Sequence, residues 1–173
     1  TGLVGSEMCI RDSKITRKEI ESTMARVRRQ LPDVAWRTTF IVGFPTETDQ
    51  DFEELVDFVS EGHFQHLGIF LYSDEDNIRS SKFGDPIPLS LKEERKNRLM
   101  EIQQKISREH HQKMVGSLQQ VLVGGFSSET DLLLEGRNQY QGPEVDGVVY
   151  INEGNATSAG FHQVEITEAH EYD

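Results

Sequence analysis

The sequence predicts an α/β segment followed by an all-β one, joined through a long helix. Three observations carry this. Helix-period and strand-like runs alternate with short links up to residue 83, the grammar of a parallel sheet covered by helices. A helical pattern of some 25 residues follows Pro88. From Leu118 the apolar period switches from helical spacing to two, and glycine-rich turns separate four short runs.

The 173 residues allow one ordinary domain or slightly more. Hydrophobic content is 35%, which is low, but its regular patterning favours a folded chain over a disordered one. No apolar run approaches the roughly 18 residues of a membrane span, so a soluble, cytoplasmic protein without a membrane partner is expected. The single cysteine, Cys9, excludes an internal disulfide framework. Residues 1–13 show neither period and no signal-peptide pattern; they read as a non-native or disordered leader.

Residues 14–83 form the α/β part. Thr16 and Glu19 make a capping box, and Ile20, Met24, Val27 and Leu31 follow at helical spacing. Arg37-Thr38-Thr39-Phe40-Ile41-Val42 reads as a strand covered on both faces. Gly43 allows a backbone or ligand to approach closely, and Pro45 ends the strand. Thr48, with Asp51 three residues on, caps a helix whose apolar face is Phe52, Leu55, Val56 and Val59, closed by Gly62. His66–Tyr72 reads as a second buried strand, and Ser73–Ser81 as a loop leaving its carboxyl end. In such layers the carboxyl edge of the sheet is where ligands bind. Two strands make no independent sheet, so the segment reads as the tail of a larger α/β domain.

Residues 84–117 are linker and helix. Asp85-Pro86-Ile87-Pro88 is stiff because each proline fixes its own φ. Ser90 and Glu93 suggest a capping box, Leu91, Leu99, Ile102, Ile106 and Met114 an apolar stripe, and Gly116 the end of a rod of roughly 37 Å with a basic outer face. Residues 118–173 read as a small antiparallel barrel with strands near 120–123, 132–137, 147–151 and 163–167, lacking a closing strand at Asp173. That last segment carries ten carboxylates against the single Arg137. Such a balance repels phosphate backbones and suits a basic protein, or else is a solvated acidic face; direct nucleic-acid binding is disfavoured.

Several strings resemble the radical S-adenosylmethionine methylthiotransferases. Arg37–Thr48 with Asp51-Phe52 is similar to their late strand-turn, Leu67–Ser73 to their last barrel strand, and Glu93-Glu94-Arg95 with Ile102–Ser107 to their linker helix. The terminal barrel resembles a TRAM domain, which is OB-like. Within it Pro143–Tyr150 and His170–Asp173 are similar to the branch that modifies an aspartate of ribosomal protein S twelve. The resemblance implies a carboxyl-terminal fragment: the last βα units of a partial TIM barrel, a linker helix and a truncated TRAM barrel. It implies two [4Fe–4S] clusters in the full-length enzyme, one cleaving S-adenosylmethionine to a radical and one supplying sulfur. The cluster cysteines would lie upstream, so this fragment would bind no cluster and be inactive alone. It further implies that Thr39, Val42 and Gly43 sit near the adenosine, with Tyr72 at the end of the next strand. Val42 also reads as plain core, and Arg37 as partner of a cofactor or substrate carboxylate or as half of a structural ion pair. Glu144 and Asp146, flanking a turn, would project outward toward ribosomal protein S twelve. The alternatives are the same chemistry on tRNA, and a stand-alone TRAM or OB-type nucleic-acid-binding module.

Overall fold

The computed structural model describes residues 16–75, 80–143, 145–157 and 159–170. The leader at 1–13 and Glu144 therefore lie outside the described residues. The chain divides into two compact units, one ending at Gln103 and the other starting at Gln104.

In the first unit α1 (Arg17–Gln30) opens on the expected capping box: Thr16 accepts from the Glu19 amide, and the Glu19 carboxylate accepts from Thr16 N at 2.7 Å. Strand β1 (Arg37–Val42) leads into α2 (Asp49–Ser60), whose Thr48–Asp51 box is formed in the same way. Gly62, at φ +71, follows the helix where a left-handed residue is needed. Strand β2 (His66–Leu71) then pairs with β1 in parallel, from Arg37↔His66 to Val42↔Leu71. Helix α3 (Leu89–Gln112) starts here and runs on into the second unit.

The core of this unit lies between the two strands and the helices. Phe40, Val42 and Ile69 meet Phe52, Leu55, Val56, Phe58 and Val59 of α2, Phe64, and Leu99 of α3. Phe40, Phe58 and Phe64 meet edge to face, with centroids 5.6–6.5 Å apart. Burial in β1 alternates rather than running through, which corrects the reading of a strand covered on both faces. Thr39 is exposed, and Phe70 on the same face is 65% exposed. Successive side chains of a strand point to opposite faces, and among the described residues helices pack on only one of them. The sequence run was apolar enough for two covered faces, but the structure supplies one.

In the second unit Gly116, at φ +81, turns the chain out of α3, and its N–H donates to Ile166 O at 2.8 Å. Strands β3 (Leu118–Phe126), β4 (Leu134–Arg137), β5 (Val149–Ile151) and β6 (Gly160–Glu165) form an antiparallel sheet in the order β5-β4-β3-β6. A bulge between Val123 and Gly125 shifts the β3–β4 register. Val121, Val123 and Ile151 are the buried centre, backed by Leu134, Val149, Ala156 and Val164. Gly136 has to be small: a Cβ there would lie 2.6 Å from Val121 Cγ1 and 2.7 Å from Leu122 O. Among the described residues no ladder joins β5 to β6, and the four strands make an open antiparallel sheet.

Candidate functional site

The carboxyl edge of the β1–β2 sheet is where this chain concentrates buried polar chemistry. At the end of β1, Gly43 takes φ +79 and the chain folds back so that Glu47 N donates to Phe44 O at 2.7 Å. The Glu47 side chain reaches back over this turn, and both its oxygens lie 3.1 Å from Gly43 N. Glu47 is also ion-paired to Arg95, and the two side chains are only 3% and 4% exposed. Arg95 makes a second contact to Asp49 at 2.6 Å and lies over the Phe52 ring, 5.2 Å from its centroid. A flat guanidinium sandwiched in this way can serve two carboxylates and an aromatic face together.

Burial holds the Glu47 carboxyl above its ordinary 4.5. The Gly43 amide and then Arg95 pull in the opposite direction without overcoming it. With the folded value raised, the folded state binds the proton more tightly than the unfolded chain does. This group's stabilisation is therefore complete below about pH 4.5 and is lost as pH rises through the folded value. Replacing Glu47 by Gln should give a variant whose stability deficit against wild type is largest in acid and shrinks toward neutral pH. Urea unfolding at several pH values measures this, and a deficit that grows with pH would refute the assignment.

A second buried cation closes the edge from the same helix. Lys92 is 2% exposed; its Nζ donates to Tyr72 O at 2.8 Å and to Asp85 at 2.5 and 2.6 Å. Its stem crosses directly over Gly43, where a Cβ would lie 2.8 Å from Lys92 Cδ and nearer still to Cγ. The close approach that Gly43 permits is thus made, in this chain, by a lysine of α3. Tyr72 continues the strand by donating its N–H to Val42 O at 2.9 Å, and its ring meets Phe44 edge-on at 5.3 Å. Its hydroxyl is buried with no hydrogen-bond partner among the described residues.

Gly43, Val42 and Tyr72 are therefore brought together at one edge. Val42 is fully buried in the helix-side core beneath it. Thr39 lies on the opposite, exposed face, with Gly68 beside it across the ladder. Arg37 stands at the other end of β1, five residues from Val42, which at about 3.3 Å per residue is about 16 Å away. In the second unit Asp146 is half-buried, and Oδ2 accepts from Gly142 N at 2.7 Å. That carboxylate folds back on its own turn where it was expected to project outward.

The residues that organise this edge, Glu47, Lys92 and Arg95, are absent from the sequence-derived set. Helix α3 begins at Leu89, one residue before Ser90, so Ser90 sits inside the first turn and not at the N-cap position. Its buried residues are Lys92, Arg95, Leu99 and Gln103, so of the apolar series chosen by hydropathy only Leu99 is among them. Gln103 Nε2 donates to Phe64 O and Gln65 O, both at 3.1 Å, at the start of β2. The signal was the spacing of three, four and four, which marks one helix face whatever its polarity.

Residues 115–173 match the TRAM domain family, so the second unit carries a TRAM domain. Over nearly its whole length the chain is also similar to proteins named ribosomal protein uS12 methylthiotransferase RimO. The relative from Bdellovibrio bacteriovorus is 49% identical over 160 residues, covering 92% of this chain and 35% of its own. The one from Anaeromyxobacter sp. (strain Fw109-5) is 44% identical over 170 residues, with 97% and 36% covered. The Aquifex aeolicus protein is 42% identical over 163 residues, with 94% and 37% covered. The chain thus spans about a third of the length of these relatives.

Proposed function

We propose that this chain is the carboxyl-terminal part of a radical S-adenosylmethionine methylthiotransferase that modifies an aspartate of ribosomal protein uS12. The observation that carries this is identity of 42–49% sustained over 92–97% of the chain, with a TRAM domain behind an α/β segment. On this reading residues 14–83 are the last βα units of a partial barrel, 84–117 the linker helix and 118–173 the TRAM domain. The exposed face of β1 and β2, with Thr39 and Phe70, is then the face that the remaining strands of the barrel would enclose.

The residues present do not fit an iron–sulfur cluster. Such a cluster takes three or four thiolates, and the chain has one cysteine. No group of three or more His, Cys, Asp or Glu is placed for a metal among the described residues. On this reading the cluster ligands belong to the part of the protein upstream. For S-adenosylmethionine the fit is partial: the unpartnered buried Tyr72 hydroxyl and the Gly43 turn lie at one edge, and Thr39 offers an exposed hydroxyl on the enclosed face. When bound, this cofactor supplies the methyl group and the radical chemistry. The chain's own contribution is to hold the edge of the pocket rigid and to exclude water from it. Arg37, so far from the edge, is better placed for substrate or for a structural ion pair than for the adenosine.

The TRAM domain is the proposed docking surface for uS12, through the carboxylates of residues 118–173 that face outward, with Asp146 left to its turn. Charge of this kind steers association and is screened as the Debye length falls to about 8 Å. Because Asp146 closes a turn, the test uses the exposed pair Glu153→Lys and Glu165→Lys. The double variant should bind uS12 with a shallower salt dependence than wild type. Coincident salt slopes, or preference of wild type for tRNA, would sink the docking idea and favour the tRNA reading. No helix among the described residues is long and apolar enough to cross a membrane.

The activity itself is tested in a chimera in which residues 14–173 replace the matching third of the Bdellovibrio bacteriovorus relative. Mass spectrometry of uS12 should show one added methylthio group. An unmodified uS12 beside an active parent would refute the proposal.

A further inference from the structure

We propose that Lys92 is a positioning residue that pins the carboxyl ends of both strands, and so sets the shape of the ligand-facing edge. Three segments converge on this one side chain. The stem lies against Gly43 at the end of β1, and the ammonium donates to Tyr72 O just past the end of β2. The same ammonium holds Asp85 of the proline-rich linker through both carboxylate oxygens. It also lies 5.4 Å from the centroid of the Tyr72 ring.

The cost of this arrangement shows what the ammonium adds. A lysine with 2% exposure has given up nearly all its hydration, and an apolar side chain of equal length would fill the space without that penalty. What an apolar chain cannot do is fix the direction of a carbonyl. Tyr72 O has its position set by a charge-assisted bond of 2.8 Å, and Tyr72 N is already tied to Val42 O. Residue 72 is thereby held on both sides of its Cα. Its neighbour on α3, Arg95, holds the adjoining turn through Glu47, so one helix face fixes both turns.

The identity of the ligand rests on the proposed methylthiotransferase reading; the pinning does not, and two measurements separate them. In the 173-residue chain, Lys92→Met keeps a stem over Gly43 and removes the ammonium. Hydrogen exchange at the Gly43 and Tyr72 amides should speed up about tenfold, the loss of one charge-assisted bond, while amides in the middle of α2 stay protected. In the chimera, Lys92→Met should weaken S-adenosylmethionine binding about tenfold in equilibrium dialysis and leave uS12 affinity unchanged. If Lys92→Met fails to fold, Asp85→Asn, which releases the ammonium from its counter-ion, takes its place in both assays. Exchange within twofold of wild type at both amides overturns the proposal, as does unchanged cofactor affinity. A wild-type chimera that leaves uS12 unmodified overturns the functional reading instead, and the exchange result still decides the role of Lys92.

Discussion

Gly43→Val is expected to destabilise the first unit by roughly 3 kcal/mol or more, from two independent penalties. The residue sits at φ +79, where a β-branched side chain is strained by about 1–3 kcal/mol. Its Cβ would also meet the Lys92 stem at 2.8 Å from Cδ, and overpacking of that kind costs another 1–3 kcal/mol. Lys92 has little freedom to yield, because its far end is bonded to Tyr72 O and Asp85. A motif of strand, glycine and turn invites the opposite expectation, that a ligand fills the space and that binding suffers before folding. Urea unfolding of wild type and Gly43→Val decides between them. A variant as stable as wild type would show that the lysine can move aside, and would return the glycine to a ligand-approach role.

The same edge shows what the sequence discloses and what it withholds. Strands, helices and caps up to residue 71 are local: Thr16–Glu19 and Thr48–Asp51 each lie three residues apart, and both boxes form. The parallel pairing follows from one helix between two β-rich runs. Chemistry at the edge is not local. Glu47 and Arg95 are separated by 48 residues, and Lys92 and Tyr72 by 20. Hydropathy assigned the two cations to the solvent side of α3, since nothing within the helix states that three carboxylates and a carbonyl await them. A charged residue's exposure is decided by its partner, so a period of three and four along charged positions is as informative as one along leucines. Exposure of Thr39 and Phe70 was likewise hidden, because an apolar run reports that a strand can be covered twice and not that it is. In the second unit glycine marked turns at Gly142 and Gly154, but Gly124 and Gly125 lie inside β3 at its bulge and Gly160 opens β6. The return of Asp146 onto Gly142 N is a side-chain choice that composition does not record.

Arg95→Ala should cost about 3–5 kcal/mol, the loss typical of a buried pair deprived of one member. The deficit arises less from the missing attraction than from what stays behind. Glu47, 3% exposed at its side chain, would keep two contacts to Gly43 N and have no counter-ion. Removing Arg95 also takes the cation from the face of Phe52. The result depends on pH in a direction that identifies the mechanism. Burial already raises the Glu47 carboxyl, and Arg95 is one of the groups that lower it, so in the variant it rises further. Stability supplied by the protonated carboxyl is present below about pH 4.5 and disappears as pH climbs through that higher value. The gap between Arg95→Ala and wild type should therefore be small in acid and widen toward neutral pH. A second substitution, Glu47→Gln in the Arg95→Ala background, removes the stranded charge and should recover part of the loss at neutral pH while changing little in acid. Additivity of the two substitutions at every pH would mean that they do not interact, and the pair could not be what fastens α3 to the Gly43 turn.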